Sequence, residues 1–208
     1  MPQKLLIATK NSAKLNHYKR ILAGYKIDLL SLSDVGITQD VAETESTFKD
    51  NAILKAQTYF KLSNLPVLAE DGGVTIPALN GWPGVHSRRV WGPENREATD
   101  EEIIQEVVKR IEIVPIDKRQ AFLVVDTVII MPDGVIHIGH GEAGGYITTE
   151  IYPNLIKGFP IRSIFVPDGK SKTVAELENE TVSADYLMQR KRAIMELEPY
   201  LKQLENYA

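Results

Sequence analysis

Pro66-Val67-Leu68-Ala69-Glu70-Asp71-Gly72-Gly73 is the stretch whose reading decides the fold. Its first half is a short apolar run of strand type. Its second half sets two adjacent carboxylates before two glycines, where the strand is expected to give way to a turn. Hard divalent cations take oxygen ligands, and Mg²⁺ commonly combines one or two carboxylates with substrate phosphates. Glycine lets a backbone come close to a ligand. The same four residues also suit an ordinary solvated turn, so the chemistry must come from what surrounds them.

Upstream, Leu5 to Thr9 reads as a buried strand, Asn11 to Leu22 as a helix and Ile27 to Leu32 as a second strand. Glu45 to Leu62 is a helix with Ile53, Ala56 and Phe60 at helical spacing. Downstream, Pro77, Gly81, Pro83, Gly84, Gly92 and Pro93 mark residues 77–98 as loop-like. Thr99 and Glu102 form a capping box that opens a helix with Ile103, Ile104, Val107, Val108 and Ile111 on its core face. Ala121 to Met131 is dense in β-branched residues, and Pro132-Asp133-Gly134 turns it into Val135 to Ile138, an antiparallel hairpin. A last helix runs from about Asp185 to Leu204, with Ile194, Leu197, Leu201 and Leu204 on one face and a kink expected near Pro199. Early alternation of strand and helix followed by a hairpin predicts an α/β protein with a mixed β-sheet flanked by helices. With no repeat, linker or low-complexity tract, residues 1–208 read as a single domain with two lobes and a central cleft.

Composition narrows the function. The chain has 208 residues, 43% hydrophobic and 25% charged, which is ordinary for a globular protein. A net charge of −4 gives no electrostatic case for nucleic acid. The absence of cysteine excludes disulfides, zinc–thiolate sites and thiol nucleophiles. His17, His86, His137 and His140 have no metal-ligand spacing, and His137 and His140 read as surface residues of the hairpin. The apolar start, Lys4 to Thr9, is too short for a signal or a membrane span, so a cytoplasmic protein without membrane contact is expected.

Three groups fit phosphate chemistry. Thr9, Asn11 and Lys14 stand at a strand-to-helix junction, where free N–H groups and the helix dipole favour an anion. Asn51 and Lys55 share a polar helix face at i,i+4 spacing. Glu43, Glu70 and Asp71 supply enough carboxylates for one Mg²⁺ shared with a polyphosphate.

These groups carry a resemblance. Ala8-Thr9-Lys10-Asn11-Ser12-Ala13-Lys14, Thr47-Phe48-Lys49-Asp50-Asn51-Ala52-Ile53-Leu54-Lys55-Ala56, the acidic pair with glycine, and Gly81-Trp82-Pro83-Gly84-Val85-His86-Ser87-Arg88-Arg89 follow in that order. Together they resemble the inosine triphosphate pyrophosphatase family, the non-standard purine nucleoside triphosphate pyrophosphatases. The likeness continues more faintly in Gly141 to Ile147, Gly158-Phe159, Ile164-Phe165 and Ala175-Glu176-Leu177. The resemblance implies an elongated mixed β-sheet with two lobes and a cleft, a homodimer, and Mg²⁺-dependent hydrolysis of a nucleoside triphosphate to monophosphate and pyrophosphate. It assigns Thr9, Asn11, Lys14, Asn51 and Lys55 to the phosphates, and Glu43, Glu70 and Asp71 to the metal. Asp71, with Glu70 and Lys55, would be catalytic, Asp71 activating the attacking water. Phe159, Arg162, Gln189, Arg190 and Arg89 would meet the base.

The departures fall at that site. The family's Asp-Asp-Ser-Gly is Glu70-Asp71-Gly72-Gly73 here, and an acidic residue three after the first lysine is His17. Arg162 replaces an aspartate that defines a purine edge, and the Ser-His-Arg of the family aligns with Met188-Gln189-Arg190. The leading expectation is a house-cleaning pyrophosphatase with altered base specificity. The alternatives are a catalytically weak nucleotide-binding or sensor protein on the same fold, and an enzyme for a different phosphate ester or a modified nucleotide, with Arg162 reading an extra anionic group. Asp126, Trp82 and Trp91 receive no catalytic role: the aspartate is expected to be hydrogen-bonded or to face the cleft, the tryptophans to serve lobe packing or a dimer surface.

Overall fold

The computed structural model describes residues 3–86, 98–180 and 188–207. Six strands are present there: β1 Gln3–Ile7, β2 Ile27–Ser31, β3 Val67–Thr75, β4 Gln120–Ile130, β5 Ile136–Ile147 and β6 Phe165–Pro167. The helices are α1 Ser12–Ile21, α2 Phe48–Ser63, α3 Asp100–Ile111, α4 Val174–Glu180 and α5 Gln189–Glu205. The strands form one sheet in the order β2-β1-β3-β4-β5-β6. β1 runs parallel to β2 and β3, while β5 and β6 are antiparallel. Met131 N donates to the Val135 carbonyl and Gly134 N to that of Met131, each at 2.9 Å, and so short a link can join only antiparallel neighbours. The sheet is mixed and the class α/β, as the alternation of elements predicts.

Local chemistry fixes the helix ends. Asn11 caps α1, its Oδ1 accepting from Ala13 N and Lys14 N. Thr47 caps α2, so that helix starts at Phe48 rather than Glu45, and Asn64 closes it with φ 53°. The Thr99–Glu102 capping box is formed at α3. Helix α5 begins at Gln189 and continues through Pro199 without a break, the expected start near Asp185 lying outside the described residues.

Two strands differ from expectation for the same reason. β3 was expected to stop at Ala69, and β5 at Ile138. Instead β3 carries the acidic pair and both glycines to Thr75, and β5 passes through Gly139, Gly141, Gly144 and Gly145 to Ile147. Apolar residues beyond the glycines, Val74 within β3 and Ile76 just after it, and Ala143 and Ile147 within β5, are buried and carry each strand onward. Glycine without a positive φ is simply a strand residue with no side chain to bury.

The chain divides into two compact units. The first holds the residues up to Asp71, Val125–Gly141 and those from Arg190 on. Its strands alternate in strict period two. Leu5, Ile7, Leu68, Ile129 and Met131 bury one face under Tyr18 and Leu22 of α1 and Ile194, Leu197, Leu201 and Leu204 of α5. Leu6, Ala8, Val67, Ala69, Val128 and Ile130 bury the other under Ala52, Ala56 and Tyr59 of α2. The core stripe of α2 thus lies a residue away from the expected Ile53 and Phe60, which are only partly buried, and it takes Asn51 inside. The second unit holds Gly72–Val124 and Glu142–Gln189. Its core packs Ile103, Ile104, Val107 and Ile111 of α3 against Ala121, Leu123, Ile147, Ile164 and Phe165, with Val108 at the margin. Trp82 packs on this core, under the Arg110 guanidinium at 4.3 Å.

Candidate active site

Residues 70 and 71 are not on a turn, and the pleat separates them. Successive side chains of a strand point to opposite faces. Glu70 shares the parity of Leu68 and lies on the α1/α5 face, whereas Asp71 shares that of Val67 and Ala69 and lies on the α2 face. The expected turn is therefore corrected to a strand, whose pleat sends the two carboxylates to opposite faces.

Each carboxylate has its own surroundings. Glu70 is 3% exposed and accepts from four donors. Arg190 Nε reaches Oε2 and Arg190 Nη2 reaches Oε1, both at 2.7 Å, in a bidentate pair. Lys14 Nζ lies 2.9 Å from Oε1. The Tyr18 hydroxyl donates to Oε2 in a very short hydrogen bond, and its own oxygen then accepts from Thr127 Oγ1 at 3.0 Å. Burial by itself would raise the Glu70 pKa, but Arg190 and Lys14, with the hydrogen bonds from Arg190 and Tyr18, hold it well below the ordinary carboxylate range. Burial, with the Glu70 charge second, pushes the Tyr18 phenol well above its usual value, so it stays a donor.

On the α2 face Lys55 Nζ lies 2.5 Å from Glu43 Oε1 and 3.6 Å from Asp71 Oδ1. Glu43 stands in the segment leading to α2, and Asn51 holds that segment. Glu45 N donates to Asn51 Oδ1 at 3.0 Å, while Asn51 Nδ2 donates to the Glu45 carbonyl at 3.3 Å. Asn51 is fully buried, so it grips the backbone beside Glu43 rather than lining an open polar face.

The donors present decide what a divalent cation could use. Glu43 and Asp71 offer hard oxygens that converge on one point, now held by an ammonium. Glu70 does not fit this task, since four donors occupy its two oxygens. Among the described residues no three His, Asp or Glu side chains are grouped to hold a metal.

The strand–helix junction is less open than the sequence suggests. Asn11 N donates to Thr9 Oγ1 at 3.1 Å, and Asn11 Oδ1 takes the N–H groups of Ala13 and Lys14 at 2.9 and 3.2 Å. Three of the four N-terminal donors of α1 are thereby engaged. Lys14, one-fifth exposed, is the cation in the first turn of this helix.

The residues assigned to the base fall as follows. Arg162 Nη1 donates to both oxygens of Glu178 at 2.7 and 3.0 Å, and its guanidinium stacks on Phe159 at 4.0 Å. Its charge is thus matched within the second unit, and an extra anionic group on a nucleotide would compete with Glu178. Gln189 is buried with Oε1 unpartnered among the described residues. Arg190 is paired with Glu70, and Arg89 lies outside the described residues, as do Ser87, Arg88 and Trp91. Asp126, given no role, accepts from or pairs with His140 Nδ1 at 2.8 Å. Sequence reasoning did not single out Tyr18, Thr127 or Glu178. Only Tyr18 leaves a local trace, standing i,i+4 from Lys14 on a largely polar helix.

Comparison with known proteins completes the picture. Residues 5–200 match the model of the Ham1 family. A dITP/XTP pyrophosphatase of Frankia alni is 33% identical over 205 residues, covering 97% of this chain and 98% of the relative. One of Bdellovibrio bacteriovorus is 36% identical over 176 residues, covering 84% of this chain and 86% of the relative. The solved structure of a Ham1 protein from Coxiella burnetii superposes with a TM-score of 0.79 at 32% identity, covering 97% of this chain and 99% of that one. The match spans nearly the full length of these relatives, and the chain belongs to the Ham1 family.

Proposed function

We propose that this chain is a nucleoside triphosphate pyrophosphatase, cleaving a nucleotide to its monophosphate and pyrophosphate with the help of Mg²⁺. The observation that carries the reading is Lys55 held between Glu43 and Asp71 on one face of β3, in a chain whose relatives are named dITP/XTP pyrophosphatases. Glu43 and Asp71 would hold Mg²⁺, which when bound neutralises charge developing on the phosphates. Lys55, released from its two carboxylates, meets phosphoryl oxygen and stabilises the leaving pyrophosphate. Asp71 orients the attacking water and accepts its proton. Lys14 supplies a second cation, and Thr9 and Asn11 fix the junction that carries it.

The base side is altered. The chain has Arg162, matched by Glu178, where the family pattern has an acceptor, and Gln189 offers an unused carbonyl oxygen. A site built on different hydrogen-bond partners reads a different edge, and mismatched partners cost orders of magnitude in discrimination. A house-cleaning role on non-standard nucleotides with altered base specificity follows, in a cytoplasmic homodimer acting on free nucleotides. No helix among the described residues is long and apolar enough to cross a membrane.

The test is pyrophosphate release from a panel of NTPs and dNTPs, including dITP and XTP, with Mg²⁺. Turnover of at least one nucleotide is expected, with Asp71→Asn slower by roughly 10²–10⁴-fold. Tight binding of every nucleotide without turnover above that variant would sink the enzyme reading and leave a sensor.

A further inference from the structure

The α1/α5 face of β3 holds a charged cluster that the reaction above does not use through its carboxylate. We infer that Glu70 is a positioning residue: it fixes Lys14 and Arg190 as a pair of cations for the phosphoryl groups and does not ligate the divalent cation. The inference rests on the pyrophosphatase reading for the role of those cations, and on geometry alone for the role of Glu70.

Four observations carry it. Glu70 and Asp71 point to opposite faces of one strand, so a cation held by Asp71 and Glu43 is not presented with Glu70. Both Glu70 oxygens are filled, one by Arg190 Nη2 and Lys14 Nζ, the other by Arg190 Nε and the Tyr18 hydroxyl. The pair with Arg190 is bidentate and nine-tenths buried on both sides, which fixes the plane of the guanidinium as well as its position. The donors come from α1 and α5, and Thr127 of β4 supports Tyr18, so one carboxylate ties three elements to β3. What this leaves is a guanidinium and an ammonium held together in fixed geometry, the complement of a phosphoryl oxygen rather than of a metal.

Two measurements test it. In calorimetric titration with Mn²⁺ alone, Asp71→Asn is expected to weaken binding by at least about tenfold, whereas Glu70→Gln leaves it unchanged. In the same Glu70→Gln protein, KM for the best nucleotide rises about tenfold or more while the Mg²⁺ concentration giving half-maximal rate stays put. Tyr18→Phe moves KM the same way to a smaller extent. Should Glu70→Gln fail to fold, the wild-type protein decides. The Arg190 Nε–H resonance, identified by its loss in Arg190→Lys, is expected to persist when Mg²⁺ and inorganic pyrophosphate saturate the protein, saturation being checked by calorimetry. A Glu70→Gln loss of Mn²⁺ affinity equal to that of Asp71→Asn, or disappearance of the Arg190 signal on saturation, would overturn the inference. A wild-type chain that turns over no nucleotide defeats the pyrophosphatase reading but leaves the Mn²⁺ and Arg190 readouts intact.

Discussion

Asn51 shows how one side chain can serve a site by holding the backbone near it. Its amide offers one acceptor and two donors, and it spends one of each on the N–H and C=O of Glu45. Replacing it by alanine removes both partners from that backbone, which should cost about 1–3 kcal/mol in urea unfolding. Because Glu43 stands two residues before the gripped peptide, Asn51→Ala should also raise the Mg²⁺ concentration needed for half-maximal rate. An unchanged unfolding midpoint would remove the clamp from the account. From the sequence Asn51 looked like a phosphate ligand on a polar helix face, since its spacing to Lys55 is the only trace the chain leaves. Its partner is the backbone of a segment with no periodicity, and backbone partners have no letter to read. Asn11 and Thr99 were legible because a cap binds its own helix a few residues on. Glu70 and Arg190 lie 120 residues apart, and no local pattern announces such a pairing.

The elements were read well wherever a period or a cap defined them, and less well where glycine stood inside a strand. β5 explains why glycine is needed there. A Cβ on Gly139 would meet the Ala193 carbonyl oxygen of α5 at 2.1 Å, and one on Gly145 would meet the Val166 carbonyl oxygen at 2.3 Å. The missing side chains let α5 and β6 lie against the strand, a close approach that resembles a turn signal when only the letters are seen. Gly139→Ala should therefore lower stability by about 1–3 kcal/mol through overpacking, read as a fall in Tm. Gly24→Ala is the control: nothing lies within 4 Å of its Cβ and its φ is not left-handed, so Tm should hold or rise slightly. Equal losses at both positions would show that close packing is not what selects glycine in β5.

For the molecule as a whole, the sheet order was beyond the sequence. Mixed character follows from the order of elements, but placing β3 between β1 and β4 depends on which apolar faces meet after folding. Acid stability is a property at this scale, and Glu70 gives it a sign. Its pKa is held well below the ordinary 4.5, chiefly by Arg190 and Lys14 acting against burial, so the unfolded chain takes up the proton first. The stabilisation is complete above the unfolded value and is lost as pH falls below it toward the folded one. The Tm gap between wild type and Glu70→Gln should thus be widest at neutral pH and shrink in strong acid. Breaking a buried pair from one side costs about 3–5 kcal/mol, which sets the size of the neutral gap. A gap of equal size at pH 3 and pH 7 would refute the assignment.

The alternation of β3 also bears on descent. Two adjacent acidic letters invite treatment as one unit, free to exchange aspartate for glutamate in either place. Yet the first answers to the reach of α1 and α5, and the second to that of α2. Each is free to drift only with its own partners, so the lineage of Glu70 should be sought in residues 14, 18 and 190, and that of Asp71 in residues 43 and 55. A chimaera that exchanges the two letters keeps its composition and charge but crosses two histories.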